Sequence, residues 1–246
     1  MAARSRPSGT IPTIYWNSAA PEGGLWLAAV ILLAGVAVTT LLALFGINVD
    51  LALAALLAGE ASPRFPAANN ALAVALRDRG WVANLVLAIC AVLVIARYLP
   101  KRVPSLPLRT FIYLGAAYLL GPGLLVNSIL KSHWGRPRPA QLMDFGGSLP
   151  FVNWWDWGGA CPGNCSFISG EAASAAWLFG PAMFVPSRWR PVAMLAAAAF
   201  YVLTSALRMA AGGHFLSDVM IAGLSSILIL LALRPLFYPD GLPVTA

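Results

Sequence analysis

The chain is predicted to be an all-α polytopic membrane protein with six transmembrane helices, and three features of its sequence carry that prediction. Its 246 residues are 59% hydrophobic and only 10% charged, far more apolar than an ordinary soluble domain. Residues 25–47 and 111–130 contain no charged side chain, and each run is long enough to cross a hydrocarbon core of roughly 30 Å as a helix. Lysines and arginines also collect in alternate connections between the apolar runs, as the positive-inside rule requires of a multi-pass chain.

Taken in order, residues 1–24 form a basic N-terminal tail with Arg4 and Arg6, and residues 25–47 form the first span. That span is too long for a removable signal peptide and lacks a convincing small-residue cleavage site, so it is expected to stay. The first outer loop, residues 48–80, mixes apolar and charged residues, among them Asp50, Glu60, Arg64, Arg77, Asp78 and Arg79. Within it, residues 51–57 are apolar but too few to span, and read as a helix lying at the interface. This segment is either part of an ordinary loop or the cover of a lipid entrance. The second span, residues 81–96, holds Cys90 as a small apolar filler. After it, Pro100, Pro104 and Pro107 stiffen a basic turn containing Arg97, Lys101, Arg102 and Arg109. Gly121-Pro122-Gly123 predicts a kink inside the third span. The remaining spans are residues 167–185, 191–207 and 215–233, with Glu171 and Asp218 near the starts of the first and last. No internal repeat divides the chain, which is read as one domain over residues 1–246.

Charge fixes the orientation. One side carries nine Lys/Arg against Glu22 and Asp240, while the other carries seven Lys/Arg against seven acids, so the whole net charge of +7 lies on the side predicted to be cytoplasmic. The excess is a topology signal. No basic, aromatic-interleaved patch lies outside the spans to support nucleic-acid binding.

On the opposite, outer side three charged clusters come together from different helix ends. The second outer loop, residues 131–166, opens K-S-H-W-G-R-P-R-P, placing Lys131, Arg136 and Arg138 where the positive-inside rule disfavours them. Such a cluster suits phosphate oxygens, and the two prolines stiffen the backbone that aims the guanidinium groups; headgroup anchoring with Trp134 is the alternative. The tryptophans 154, 155 and 157 suit an interfacial belt or, alternatively, a substrate mouth. Cys161 and Cys165 lack a His or third Cys at ligand spacing, which favours a short-loop disulfide over a zinc site. Ser169-Gly170 at the start of the fourth span offers a hydroxyl and unpaired amides to an anion, or simply caps a helix. Glu171, just inside an apolar span, must be paired, protonated or exposed to a water-filled site. Finally, Arg208, His214 and Asp218 lie between two apolar spans, and a helix starting near Gly213 would put His214 and Asp218 on one face. Asp218 could then hold one imidazole nitrogen and orient the other, or the pair could merely cap a helix.

These clusters resemble the motifs of the type 2 phosphatidic acid phosphatase family of membrane phosphatases, related to vanadium haloperoxidases. The family's Lys, six residues, Arg-Pro is matched by Lys131, Arg138 and Pro139; its Arg, five residues, His, three residues, Asp is matched by Arg208, His214 and Asp218. Its Pro-Ser-Gly-His reads Ile168-Ser169-Gly170-Glu171 here, and the Ser that usually precedes the last motif's Arg is Leu207. The resemblance implies a metal-independent and cofactor-free hydrolase of a membrane lipid phosphomonoester or diphosphate. His214 would attack phosphorus to give a phosphohistidine and Asp218 would orient it. Lys131, Arg138, Arg208 and the Ser169-Gly170 amides would hold the phosphoryl oxygens. Glu171 would replace the missing His as proton donor. In H-W-G-R-P-R-P, S-F-x-S-G-E and G-G-H-F-L-S-D the chain is also similar, more loosely, to bacterial lipid A phosphatases. That likeness implies an inner-membrane enzyme with its active site facing the periplasm. Undecaprenyl diphosphate or phosphatidylglycerol phosphate as substrate, phosphotransfer to an acceptor other than water, and a non-enzymatic anionic lipid transporter remain as alternatives.

Overall fold

The computed structural model describes residues 22–60, 64–77, 81–96, 98 and 106–242. The N-terminal tail before Glu22, residues Asp78 and Arg79, and the basic turn with Arg97, Pro100, Lys101, Arg102 and Pro104 lie outside the described residues, as does the side chain of Arg77.

The described chain is all-helical apart from loops and one isolated bridge. Helix α1, Gly23–Leu44, leads to the short outer helix α2, Val49–Leu57, which Asn48 caps by accepting the amide of Leu51 at 3.1 Å. After α3, Ala71–Arg77, the 16-residue apolar helix α4, Trp81–Ala96, rises about 24 Å at 1.5 Å per residue, a little short of a hydrocarbon core. Helix α5, Leu108–Tyr118, continues through a π-helical stretch, Leu119–Leu130, into α6, Lys131–His133. Pro122 explains the stretch. Its missing N–H breaks the ordinary ladder, and the chain widens by one residue per turn instead of ending. The carbonyls of Pro122 and Gly123 accept the side chains of Asn127 at 2.7 Å and Ser128 at 3.2 Å.

The fourth predicted span is shorter and interrupted. Residues 166–169 are not helical; α7, Gly170–Trp177, and α8, Phe179–Ala182, follow in one line. Pro181 accounts for the interruption, because it lacks the N–H that would bond to Trp177, the last residue of α7. Together they rise about 20 Å. Helix α9, Arg190–Ala210, starts with Pro191 in its first turn, and α10, Leu216–Phe237, ends just after Pro235. Among the described residues four helices are therefore long and apolar enough to cross a membrane: α1, the continuous Leu108–His133, α9 and α10.

Helix α10 is central and packs on α7, α1 and α5. The contact with α7 is close because that helix presents alanines: Ala172, Ala173, Ala175 and Ala176 are all buried. Below it, Trp177 donates to the carbonyl of Leu114 at 2.9 Å and Tyr113 to that of Leu230 at 2.8 Å, locking the apolar core formed with Ile227. At the same end Arg234 meets Glu22 at 2.5 Å, tying the foot of α10 to the start of α1. Around this interior, Leu27, Ile31, Leu195 and Val202 stay exposed, as expected of a surface solvated by hydrocarbon.

The outer loop after α6 is fastened to itself and to the helices. Gly135 has φ +74°, and a Cβ there would lie 2.4 Å from the carbonyl of Gly159, so two backbones cross at a point only glycine permits. Cys161 and Cys165 are joined in a disulfide, as expected. Trp134 packs against Trp157 and Phe167, and Trp154 donates to Thr40 of α1 at 3.0 Å, leaving Trp157 as the exposed member.

Candidate active site

Helices α6, α7, α9 and α10 bring their ends together around His214, which is 1% exposed. Local sequence explains its placement. Gly212 has φ +65°, and a Cβ there would sit 2.5 Å from the ring of Phe65, so Gly212 lets the chain turn sharply against the first outer loop. Its carbonyl accepts the amide of Ala140 at 3.0 Å, which ties the Arg-Pro segment to the His segment.

The imidazole is not held as the four-residue spacing suggested. Helix α10 begins at Leu216, so His214 precedes it and does not share a helical face with Asp218. The Nδ1 of His214 instead lies 2.6 Å from the backbone carbonyl of Ser166. Asp218 acts one step further back: its Oδ2 accepts the Ser166 hydroxyl at 2.5 Å and the Phe215 amide at 2.9 Å, and its Oδ1 accepts Arg136 at 2.6 Å. Asp218 thus meets His214 through Ser166 and not directly.

A carbonyl only accepts hydrogen bonds, so Nδ1 must carry a proton. Burial, followed by the charges of Arg208 and Arg138, holds the His214 pKa well below the usual imidazole value, with Lys131 adding to the depression and the Ser166 carbonyl opposing it. A neutral ring protonated at Nδ1 has its lone pair on Nε2. That atom faces Nη2 of Arg208 at 3.2 Å and Oε2 of Glu171 at 4.0 Å. It is the form and direction a nucleophile requires.

Near His214 the predicted cations assemble. Lys131, Arg138 and Arg208 all act on His214 through their charge, while Glu171 faces Arg208 at 3.4 Å. Three cations beside the Glu171 carboxyl suit a phosphate dianion. Arg138 is aimed by one hydrogen bond from Nη2 to Asn164 at 2.7 Å and by its amide bonding to Gln141 at 2.9 Å. Its Nε, the Nε of Arg208 and Oε2 of Glu171 are buried without a hydrogen-bond partner among the described residues. Polar atoms so placed are the groups expected to meet a polar ligand. Ser169 caps α7 by accepting the Ala172 amide at 3.3 Å, so its hydroxyl is engaged in the cap while the first-turn amides of Gly170 and Glu171 have no partner inside the helix. Beside His214 a narrow crevice, too tight to admit water, runs between Asp50, Leu53, Leu57, Met209 and Leu216.

Every predicted site residue therefore lies at one end of the bundle. Sequence reasoning missed Asp50, Ser166 and Ser217, and misassigned Arg136. The last was expected among the anion-binding cations, yet it is fully buried and turned away from them, bonded to Asp50, Ser217, Asp218 and the Val152 carbonyl.

The chain is similar to known proteins in sequence and in fold. The model of the PAP2 superfamily matches residues 108–240. The lipid A 4'-phosphatase of Rhizobium etli is 52% identical over 120 residues, which are 49% of this chain and 47% of that protein. The lipid A 4'-phosphatase of Rhizobium leguminosarum is 51% identical over 118 residues, covering 48% of this chain and 51% of that protein. The lipid A 4'-phosphatase of Francisella tularensis subsp. novicida is 36% identical over 117 residues, with 47% and 53% covered. The chain thus spans about half the length of these curated relatives. The crystal structure of a transmembrane PAP2-type phosphatidylglycerolphosphate phosphatase from Bacillus subtilis aligns over 88% of this chain and 95% of its own, with a TM-score of 0.50 at 21% identity, a likeness of fold.

Proposed function

As the chain belongs to the PAP2 superfamily, we propose that it removes a phosphate from a membrane lipid, lipid A foremost, through a phosphohistidine on His214. The observation that carries the reading is the buried His214, proton on Nδ1, with Nε2 turned into the cluster of Lys131, Arg138 and Arg208. Lipid A enters because the three relatives named above bear that substrate in their names.

In the first step the Nε2 lone pair attacks phosphorus, an N–P bond forms and the bond from phosphorus to the sugar oxygen breaks. Glu171, 4.0 Å from Nε2, delivers a proton to the departing oxygen. Arg208, which faces Nε2 in the resting site, turns its donors to the phosphoryl oxygens alongside Lys131, Arg138 and the α7 amides, neutralising the charge that spreads over them in flight. The imidazolium formed is stabilised by its Nδ1–H bond to Ser166. In the second step Glu171 takes a proton from water, the water oxygen attacks phosphorus, the N–P bond breaks and inorganic phosphate leaves. No step calls for a metal.

The membrane arrangement follows the same reading: α4 and the α7–α8 pair cross with the four long helices, giving six spans in a single phosphatase domain. The site faces the periplasm of a bacterial inner membrane, the side opposite the basic connections. The test is phosphate release from lipid A, phosphatidic acid, phosphatidylglycerol phosphate and undecaprenyl diphosphate. The proposal expects release into water from lipid A above the others. Release from none, or transfer of the phosphate to another lipid, would contradict it.

A further inference from the structure

Arg136 carries a charge that the chemistry above does not use. It is fully buried and its donors are committed: Nε to the Val152 carbonyl at 2.8 Å, Nη1 to Asp218 at 2.6 Å and to the Ser217 hydroxyl at 2.8 Å, Nη2 to Asp50 at 2.8 Å. The rings of Phe215 and Phe151 flank the guanidinium at 4.3 and 5.6 Å. Four of its five N–H donors are thus taken by protein groups.

Asp50 comes from the first turn of α2, outside the segment that matches the family. Its Oδ1 accepts the Ser217 amide at 2.9 Å and its Oδ2 the Ser217 hydroxyl at 2.5 Å. Two carboxylates, one guanidinium and one hydroxyl therefore form a closed buried network in which each charged group has a partner.

The network ends on the nucleophile. Arg136 holds Ser166 twice, through its own carbonyl accepting the Ser166 amide at 2.8 Å and through Asp218 accepting the Ser166 hydroxyl. Ser166 in turn presents its carbonyl to Nδ1 of His214 at 2.6 Å. If the cluster served only to fasten the loop, it would not need to terminate on the ring nitrogen that decides where the lone pair sits.

We propose that Asp50 and Arg136 are positioning residues for His214, which fix its Nδ1–H tautomer through Asp218 and Ser166, so that the first outer helix completes the active site. The proposal rests on the reading of His214 as the nucleophile. Asp50 fixes the guanidinium geometrically, holding Nη2 of Arg136 at 2.8 Å while Nη1 holds Asp218. Without it, Arg136 draws on Asp218 from a shifted position, and the Ser166 carbonyl loses its register with Nδ1.

The test joins kinetics to a direct view of the ring. The protein has two histidines, His133 and His214, so histidine labelled with nitrogen-15 gives two imidazoles in detergent micelles, and His133→Gln identifies which is which. In the wild type the His214 signals should report Nδ1–H with an unprotonated Nε2. Asp50→Asn and Arg136→Lys should give a mixture of tautomers, with kcat on the lipid substrate lowered about 10- to 100-fold, within the range usual for misplaced catalytic groups, and KM changed less than about twofold. Ser217→Ala removes the bridging hydroxyl and neither charge; it should move both readouts the same way by less, which keeps the proposal open to refutation if the charge variants fail to fold. A folded Asp50→Asn or Ser217→Ala protein with the wild-type tautomer and unchanged kcat overturns it. Because the spectrum needs no substrate, a wild-type protein that releases no phosphate defeats the reading of function while the positioning claim is still judged on the tautomer.

Discussion

Replacing Glu171 by Gln separates a proton donor from a merely electrostatic neighbour, because the two roles differ in size and in dependence on the leaving group. The side chain stands 3.4 Å from Nη1 of Arg208 and 4.0 Å from Nε2 of His214, and it is 30% exposed. As an ion-pair partner at that exposure it is worth about 0–1 kcal/mol. At about 1.36 kcal/mol per decade, losing it changes the rate by no more than about fivefold, equally for every substrate. As a general acid it contributes roughly 10²-fold or more, but only where the departing oxygen is strongly basic. A sugar or alkyl phosphate leaves as an alkoxide and needs the proton, whereas p-nitrophenyl phosphate leaves as a weak base and scarcely needs it. Single-turnover rates of the wild type and Glu171→Gln on both substrates should therefore show a loss of about 10² or more on the first and less than about tenfold on the second. Equal losses would assign Glu171 to binding or folding, and no loss on either would remove it from the mechanism.

Acid should act through His214. Its pKa is held below the unperturbed value of about 6.5, so kcat/KM should fall only as pH drops through the lowered value. The unfolded chain takes up that proton first, so the contribution of His214 to stability is full above about pH 6.5 and is lost as pH falls through the folded value; a melting temperature that rises on acidification through this window contradicts the assignment. Breaking the Cys161–Cys165 bond with Cys161→Ser/Cys165→Ser should cost about 2 kcal/mol, the loop-entropy figure for so short a loop, and thiol counting without reductant should find Cys90 alone; three free thiols refute the pairing. A cysteine replacing the exposed Ser132 should react with a membrane-impermeant maleimide from the periplasmic side, and labelling only after the inner face is opened would reverse the topology.

The fold was legible where one residue type dominates a long run. The uncharged runs around α1 and α5 are helices because nothing else satisfies the backbone in hydrocarbon, and the spacing of Lys131, Arg138, Arg208 and His214 survives in the cluster they form. Where prolines compete with the run, prediction was poorer. Pro122 widened α5 into a π-helix rather than only bending it, and Pro181 split the fourth span. The site's second layer was hidden for geometric reasons. Arg138 has φ −77° and ψ 154°, polyproline-type backbone whose three residues per turn make side chains two apart diverge, and Arg136 lies fully buried in the interior. The pairing of Asp50 with Ser217 and Arg136 joins segments 167 and 86 residues apart, a contact no local pattern announces. The assumed bond between Asp218 and His214 failed because the helix starts two residues after the His.

The central claim is that phosphate passes through His214, and rapid quenching into base, where phosphohistidine survives, tests it directly. With lipid substrate labelled at the phosphate, the protein should carry one label, mapped to the peptide containing His214, early in the first turnover. Asp218→Asn should accumulate it more slowly, since the orienting group is lost while the nucleophile remains, and His214→Ala should not acquire it at all. Label on another residue, or phosphate release undiminished in His214→Ala, would contradict the account.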